Sequence, residues 1–151
     1  MNGTQKHGIQ SKADLIIANG DITVNAVKDG VRGRNSILIL DGRLNITAGG
    51  DGITATRKNS DGRGWIVLAG GQVTVKTGNG AANPSKDQET SRKGIKAMAD
   101  LTVLGGEYHL DCEEDGLRGA NITIYDGQFD IRSGDDGMHA DGILVIHSGK
   151  H

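Results

Sequence analysis

Glycine followed by one apolar residue recurs along the chain at Gly8-Ile9, Gly30-Val31, Gly52-Ile53, Gly94-Ile95, Gly116-Leu117 and Gly137-Met138. The glycine spacings are 22, 22, 42, 22 and 21 residues, so the long step reads as one period of 22 carrying an insertion of 20. A unit this short cannot bury its own hydrophobic face, but stacked copies can. The period therefore predicts a solenoid, in which fold and binding surface are set together.

Each repeat divides into three alternating pieces. The fifth runs Gly116-Leu117-Arg118-Gly119, then Ile122-Thr123-Ile124, then Phe129-Asp130-Ile131-Arg132-Ser133. Alternation over so few residues means strand, and three strands per coil make a triangular tube. Asn19-Gly20, Asp41-Gly42, Gly70-Gly71, Gly105-Gly106 and Asp126-Gly127 fall between the second and third strands, as turn pairs supplying a positive φ. Pro84 is the only proline and lies in the insertion, so no strand must accommodate a residue without an N–H.

Parity assigns the inward positions. Strand one points Ile9, Val31, Ile53, Ile95, Leu117 and Met138 inward. Strand two contributes Leu15/Ile17, Ile37/Ile39, Trp65/Val67, Leu101/Val103, Ile122/Ile124 and Ile143/Val145. Strand three contributes Ile22/Val24, Leu44/Ile46, Val73/Val75, Tyr108/Leu110 and Phe129/Ile131, each followed by a small residue. Stacking turns these columns into one continuous core.

A length of 151 residues suits one domain, 1–151, with surface insertions at 56–64 and 78–92 that are rich in Gly, Asn, Ser and charge. A net charge of −2 gives no global reason to seek nucleic acid or an anionic membrane. Cys112 is the single cysteine and occupies a small inward slot, which reads as an inert buried thiol rather than a catalytic thiolate. No apolar run approaches the ~20 residues of a bilayer span, and no signal-peptide core follows Met1. The ends carry no polar cap, so the chain reads as part of a longer tube or as a tube capped by another subunit.

The segments KGIKAMADLTVLGG (93–106) and SGDDGMHADG (133–142) resemble the repeats of a bacterial family of carbohydrate-binding, right-handed parallel β-helix proteins. The resemblance covers nearly the whole chain, the long insertion included. It implies an extracellular or cell-surface protein that binds calcium and plant polysaccharides such as cellulose and pectic polygalacturonate, related in fold to calcium-dependent pectate lyases. The chain departs from the family's commoner polar-Gly-Gly ending of strand two, where it places Leu40, Leu68, Leu104, Tyr125 and Ile146.

Chemistry gathers beside strand one. The residues before the repeat glycines are His7, Asp29, Asp51, Lys93, Asp115 and Asp136. Equivalent residues of adjacent coils lie ~4.8 Å apart, so Asp29 falls over Asp51 and Asp115 over Asp136. Stacked carboxylates need a cation, a basic neighbour or a proton. Glu114, Asp135 and Asp141 add oxygen donors near the second pair, which suits calcium better than zinc, and the family resemblance points to the same metal. For Asp29 and Asp51, near Lys28 and Arg32, an Asp-Gly turn bond competes evenly with a metal role.

The outward row of strand one reads Gln10, Arg32, Thr54, Lys96, Arg118 and His139, flanked by Lys28, Arg34, Arg92 and Lys93. Arg32, Lys93, Lys96, Arg118 and His139 are the donors expected to engage a uronic-acid chain; a solvated, salt-bridged face is the competing reading. Of the four aromatic residues only Tyr125 falls outside the tube, so no flat platform for crystalline cellulose is visible. Lys93, Lys96 or Arg118 beside a bound uronate could instead serve as the base of a lyase. The outward parity of strand two, with Ile16, Leu38, Leu40, Ile66, Leu68, Leu104, Tyr125, Leu144 and Ile146, forms a stripe to be covered by the 78–92 loop or by a second copy. The expectation is an all-β, right-handed parallel β-helix of about six coils, acting as a non-catalytic, calcium-dependent module for an acidic polysaccharide. A lyase and a self-assembling solenoid are the alternatives.

Overall fold

The computed structural model describes residues 7–58, 62–83 and 89–147. The first coil is β1 (Ile9–Ser11), β2 (Asp14–Ile17) and β3 (Asp21–Ala26); the second is β4 (Val31–Gly33), β5 (Ser36–Ile39) and β6 (Arg43–Ala48). The third is β7 (Ile53–Ala55), β8 (Trp65–Leu68) and β9 (Gln72–Thr77); the fourth is β10 (Ile95–Ala97), β11 (Asp100–Val103) and β12 (Glu107–Cys112). The fifth is β13 (Leu117–Gly119), β14 (Asn121–Ile124) and β15 (Gln128–Ser133), and the sixth supplies β16 (Met138–Ala140) and β17 (Leu144–Ile146). Every strand pairs in parallel with its counterpart one coil away. The results are a six-stranded first sheet β1-β4-β7-β10-β13-β16, a six-stranded second sheet β17-β14-β11-β8-β5-β2 and a five-stranded third sheet β15-β12-β9-β6-β3. This is the three-strand coil that the period implies. Pro84, the first residues after Met1 and Ser148-Gly149 lie outside the described residues.

Alternation builds the core. In β6 and β9 every second residue is buried, and Val31, Ile53, Ile95 and Leu117 stack as one inaccessible column of the first sheet. The glycines have two separate causes. At the corner before the third sheet, Gly20, Gly42, Gly71, Gly106 and Gly127 adopt φ of 132°, 114°, 101°, 107° and 135°, where a side chain is strained. The repeat glycines answer to close packing instead. A Cβ on Gly30 would stand 2.3 Å from Ile46 Cγ2 and 2.7 Å from the Gly52 carbonyl oxygen. Tyr108 stacks on Phe129 inside the tube at 4.9 Å and donates its hydroxyl to the Gly105 carbonyl at 2.6 Å. Cys112 is fully buried beside them, and burial pushes its thiol up to about 12, as an unreactive cysteine requires.

Strand-two parity differs from the sequence reading in two places. Ile66 and Leu68, not Trp65 and Val67, stack on Ile37 and Ile39 and are buried. Leu144 and Ile146, not Ile143 and Val145, sit over Ile122 and Ile124. The cause is common to both. Trp65-Ile66-Val67-Leu68 and Ile143-Leu144-Val145-Ile146 are unbroken apolar runs, and a run without polar residues carries no phase. Register comes from the ladder instead: Gly64 N–H donates to Asn35 O at 2.5 Å and Ala69 N–H to Ile39 O at 2.8 Å, which leaves Ile66 pointing inward. The outer stripe of the second sheet therefore consists of Ile16, Leu38, Leu40, Val67, Leu104 and Tyr125, with Trp65 half-buried at its margin.

The described residues of the long insertion contact the end of β12 and the first sheet, not that stripe. Its first residues lie against the end of β12, where Asn79 N–H donates to Glu113 Oε2 at 2.8 Å and Ala81 N–H to Asp111 Oδ1 at 2.9 Å. Its last residues return along the first sheet. Thr77 Oγ1 donates to the Arg92 carbonyl at 2.6 Å, and Arg92 N–H donates to Glu114 Oε1. Three acids of one strand end thus clamp both feet of the loop.

Candidate functional site

The first sheet carries its outward row in the expected register: Gln10, Arg32, Thr54, Lys96, Arg118 and His139 are consecutive partners. The corner column is equally regular. The N–H of each repeat glycine donates to the carbonyl of the corner residue one coil on, from Gly8 to Asp29 at 3.0 Å through Gly116 to Asp136 at 3.0 Å. Asp29 therefore lies over Asp51, Lys93 over Asp115, and Asp115 over Asp136.

The corner aspartates hold the coils together. Asp29 Oδ1 accepts Asp51 N–H at 2.9 Å, Asp51 Oδ1 accepts Lys93 N–H at 2.8 Å, and Asp115 Oδ1 accepts Asp136 N–H at 3.0 Å. Each carboxylate serves the following coil, not its own turn. The second oxygen usually faces a base three residues on. Asp29 Oδ2 meets Arg32 at 3.4 Å, Asp115 Oδ2 meets Arg118 at 3.4 Å, and Asp136 Oδ2 meets His139 at 2.8 Å. Arg118 also reaches Asp141 at 2.8 Å, and His139 reaches it at 3.6 Å. Acid column and basic row are thus one interlocked surface.

The expected metal residues divide accordingly. Asp115, Asp136 and His139 converge, with ligand atoms within 4.8 Å of one another. Glu114 turns to Lys93 at 3.4 Å and to the insertion, Asp135 places only its backbone carbonyl in a contact, to the Ser133 hydroxyl at 3.3 Å, and Asp29 and Asp51 form a separate pair. Asp51 is 5 % exposed. Burial pushes its carboxyl above the usual carboxylate range, against the opposing pull of the Ser91 hydroxyl, the Lys96 charge and the Lys93 N–H.

Two clefts open on this face. The larger, about 430 Å³, is bordered by Lys28, Arg32, Asp51 and Lys96, with Glu89 and Ser91 of the returning insertion as its wall. The smaller, about 230 Å³, lies between Lys93, Lys96, Arg118 and Asp141. Lys96 and Met98 line both, so the clefts form one trough running across successive coils. A notch of about 440 Å³ at the corner between the second and third sheets is lined by Asp41, Gln72, Glu107 and Asp126 and has no cationic side chain, so it offers nothing to an acidic chain. Sequence reasoning found the row and the column. It missed the wall, because nothing in Glu89–Arg92 signals which face the loop returns to, and it missed Asp111 and Glu113, which hold the loop there.

A trough of cations and hydrogen-bonding groups with few aromatic rings suits a hydroxyl-rich, charged polymer. The family described as carbohydrate-binding domain-containing protein matches residues 1–150. No curated relative and no solved structure matches the chain. The match spans all three sheets and every residue of the trough, and the chain belongs to this family of carbohydrate-binding domain-containing proteins.

Proposed function

We propose that the outer face of the first sheet binds an acidic polysaccharide of the polygalacturonate type along the tube, without transforming it. The observation that carries this reading is the trough's spare positive charge: Lys28 and Lys96 make no ion pair among the described residues and line it beside Arg32 and Arg118. Donors repeated at the ~4.8 Å coil spacing offer a polymer several charge-assisted contacts at once. Titration calorimetry should give tighter binding to polygalacturonate than to a neutral glucan, weakening as salt rises. Arg32→Ala with Arg118→Ala should lose about tenfold in affinity, measured well below the melting transition because the buried Asp115 loses a partner in the variant. Equal binding by wild type and the double variant would retire the trough as the site.

Calcium is proposed at the Asp115–Asp136 pair. Arg118 and His139 already hold Asp141, so they can release their corner carboxylates to a cation without losing every partner. Such a cation would neutralise the column and supply a positive charge to the polymer. A ligand of this class also argues for an extracellular or cell-surface module, tested by protease accessibility on intact cells.

Binding without chemistry is favoured because a lyase needs a neutral base at the proton α to a carboxylate. Lys93 is paired with Glu114, and Arg118 with Asp115 and Asp141, so neither is left free to take that proton. Incubation with polygalacturonate and calcium should leave ultraviolet absorbance flat; an unsaturated product would make the protein a lyase.

A further inference from the structure

The repeat normally builds an acid and a base three residues apart, as in Asp29–Arg32, Asp115–Arg118 and Asp136–His139. The first coil, with His7 and Gln10 in these places, lacks the pair, and the third and fourth coils break the rule together. The third keeps the acid, Asp51, with Thr54 in the base's place; the fourth keeps the base, Lys96, with Lys93 in the acid's place. The unmatched acid and the unmatched base, Asp51 and Lys96, both line the larger cleft, while Lys93 lines the smaller one.

Asp51 Oδ1 is fully used, accepting Ser91 Oγ–H at 2.7 Å and Lys93 N–H at 2.8 Å. Its Oδ2 accepts no hydrogen bond among the described residues, although the side chain is almost entirely buried and lines the cleft. That oxygen is open to the cleft, not sealed in the core, so a donor arriving from solvent can reach it in the place a base at position 54 would otherwise take. Among the described residues Lys96 Nζ makes one hydrogen bond, to Ser91 Oγ at 3.4 Å, so Ser91 joins the Asp51 carboxylate to the unpaired cation. The insertion brings Ser91 there.

We propose that Asp51, Ser91 and Lys96 form a subsite for one unesterified uronate residue of the bound polymer. Asp51 Oδ2 accepts a ring hydroxyl, Lys96 Nζ takes the carboxylate, and Ser91 holds both side chains in position. This rests on the reading that the first sheet binds an acidic glycan, and it names the unit the trough selects. A neutral sugar satisfies Asp51 alone. A simple anion satisfies Lys96 but meets the Asp51 charge. A methyl ester removes the partner of Lys96. Only a residue carrying both groups meets both demands.

The test uses the whole chain with polygalacturonate, its methyl ester and a neutral glucan in titration calorimetry, in calcium and in chelator. Wild type should prefer the free acid to the ester. Lys96→Met should abolish that preference. Asp51→Asn should weaken binding of acid and ester alike by about tenfold, the scale of one lost charge-assisted hydrogen bond, while melting no lower than wild type. Ser91→Ala should fall between wild type and Asp51→Asn. If wild type and Arg118→Ala differ on polygalacturonate while Asp51→Asn and Lys96→Met match wild type, the subsite is wrong and the broader reading stands. If wild type binds no acidic polymer, the broader reading fails first. A loss in Asp51→Asn seen only with calcium would make Asp51 a cation ligand and overturn the hydroxyl assignment.

Discussion

At the corner of the fifth coil Asp115 is 1 % exposed and has both oxygens occupied, one by Asp136 N–H and one by Arg118. At the same corner of the third coil Asp51 is 5 % exposed and has one oxygen occupied. Backbone, register and burial are alike. What differs is the fourth residue of the motif, arginine in one and threonine in the other. The repeat's ordinary solution neutralises itself within a coil, which stabilises the stack and leaves less unpaired charge for a ligand than the third and fourth coils offer. Function in such a tube is therefore marked by a break in the side-chain rule, not in the backbone period. Here that break coincides with the coil carrying both insertions.

The sharpest way to break the comparison is to restore an acid at the fourth coil. Lys93→Asp would run Asp51, a new carboxylate and Asp115 in unbroken succession at ~4.8 Å and would remove the Glu114 ion pair. Lys96 would stand three residues on as a base for the new carboxylate, but three stacked carboxylates and a Glu114 left without Lys93 outweigh that one pair, and we expect the largest loss of the series, about 2–3 kcal/mol. A melt within a degree of wild type would show that corner carboxylates do not sense one another.

Next in size, Asp115→Asn should cost about 1–2 kcal/mol, because it strips Arg118 of a buried acceptor. Asp51→Asn should cost nothing or stabilise. The sign follows from the raised Asp51 pKa. The fold favours the protonated form, so the wild-type penalty is absent below the ordinary carboxylate range and grows as pH rises through the folded value. Melting curves of wild type and Asp51→Asn should coincide in acid and separate toward neutral pH. A constant offset would contradict the assignment.

Smaller again is the calcium effect. Excess calcium should raise the melting temperature of wild type and Asp51→Asn by mass action, and chelator should lower it. Asp115→Asn with Asp136→Asn should show no shift; a shift that persists would move the cation elsewhere.

The smallest effect on stability belongs to the second sheet, where Leu40 and Leu104 are 44 % and 47 % exposed. Leu40→Asp with Leu104→Asp should stay within about 0.5 kcal/mol of wild type. If copies associate through this face, light scattering should show the variant as a monomer; equal mass for both proteins would retire assembly there.

Much of this architecture was legible from the repeat. The glycine spacing fixed the coil, and Asp-Gly or Gly-Gly fixed the corner, because each reports a local steric demand. Alternation placed Val24, Ile46, Val73 and Leu110 inside, since polar neighbours gave it a phase. It failed at Trp65–Leu68 and at Ile143–Ile146, where no polar residue supplied one. The acid column and basic row were visible as rows. A salt-bridged face stood only as one reading of the rows, and the residue-by-residue pairing comes from the structure, although Asp-Gly-x-Arg stands in the sequence at Asp29 and Asp115. The clamp on the insertion had no local signal at all, because Asp111 and Glu113 follow their partners by 30 and 34 residues.

That clamp has a consequence for the order of assembly. The first foot of the insertion is fastened by residues that exist as anchors only after β12 has added to the third sheet, so its docking waits on contacts that are long-range in sequence. During refolding, sheet formation should precede the appearance of a finished cleft. In native amide exchange, the N–H groups of Asn79 and Ala81 should open independently of the sheets, at a lower free energy than Val73 or Val75.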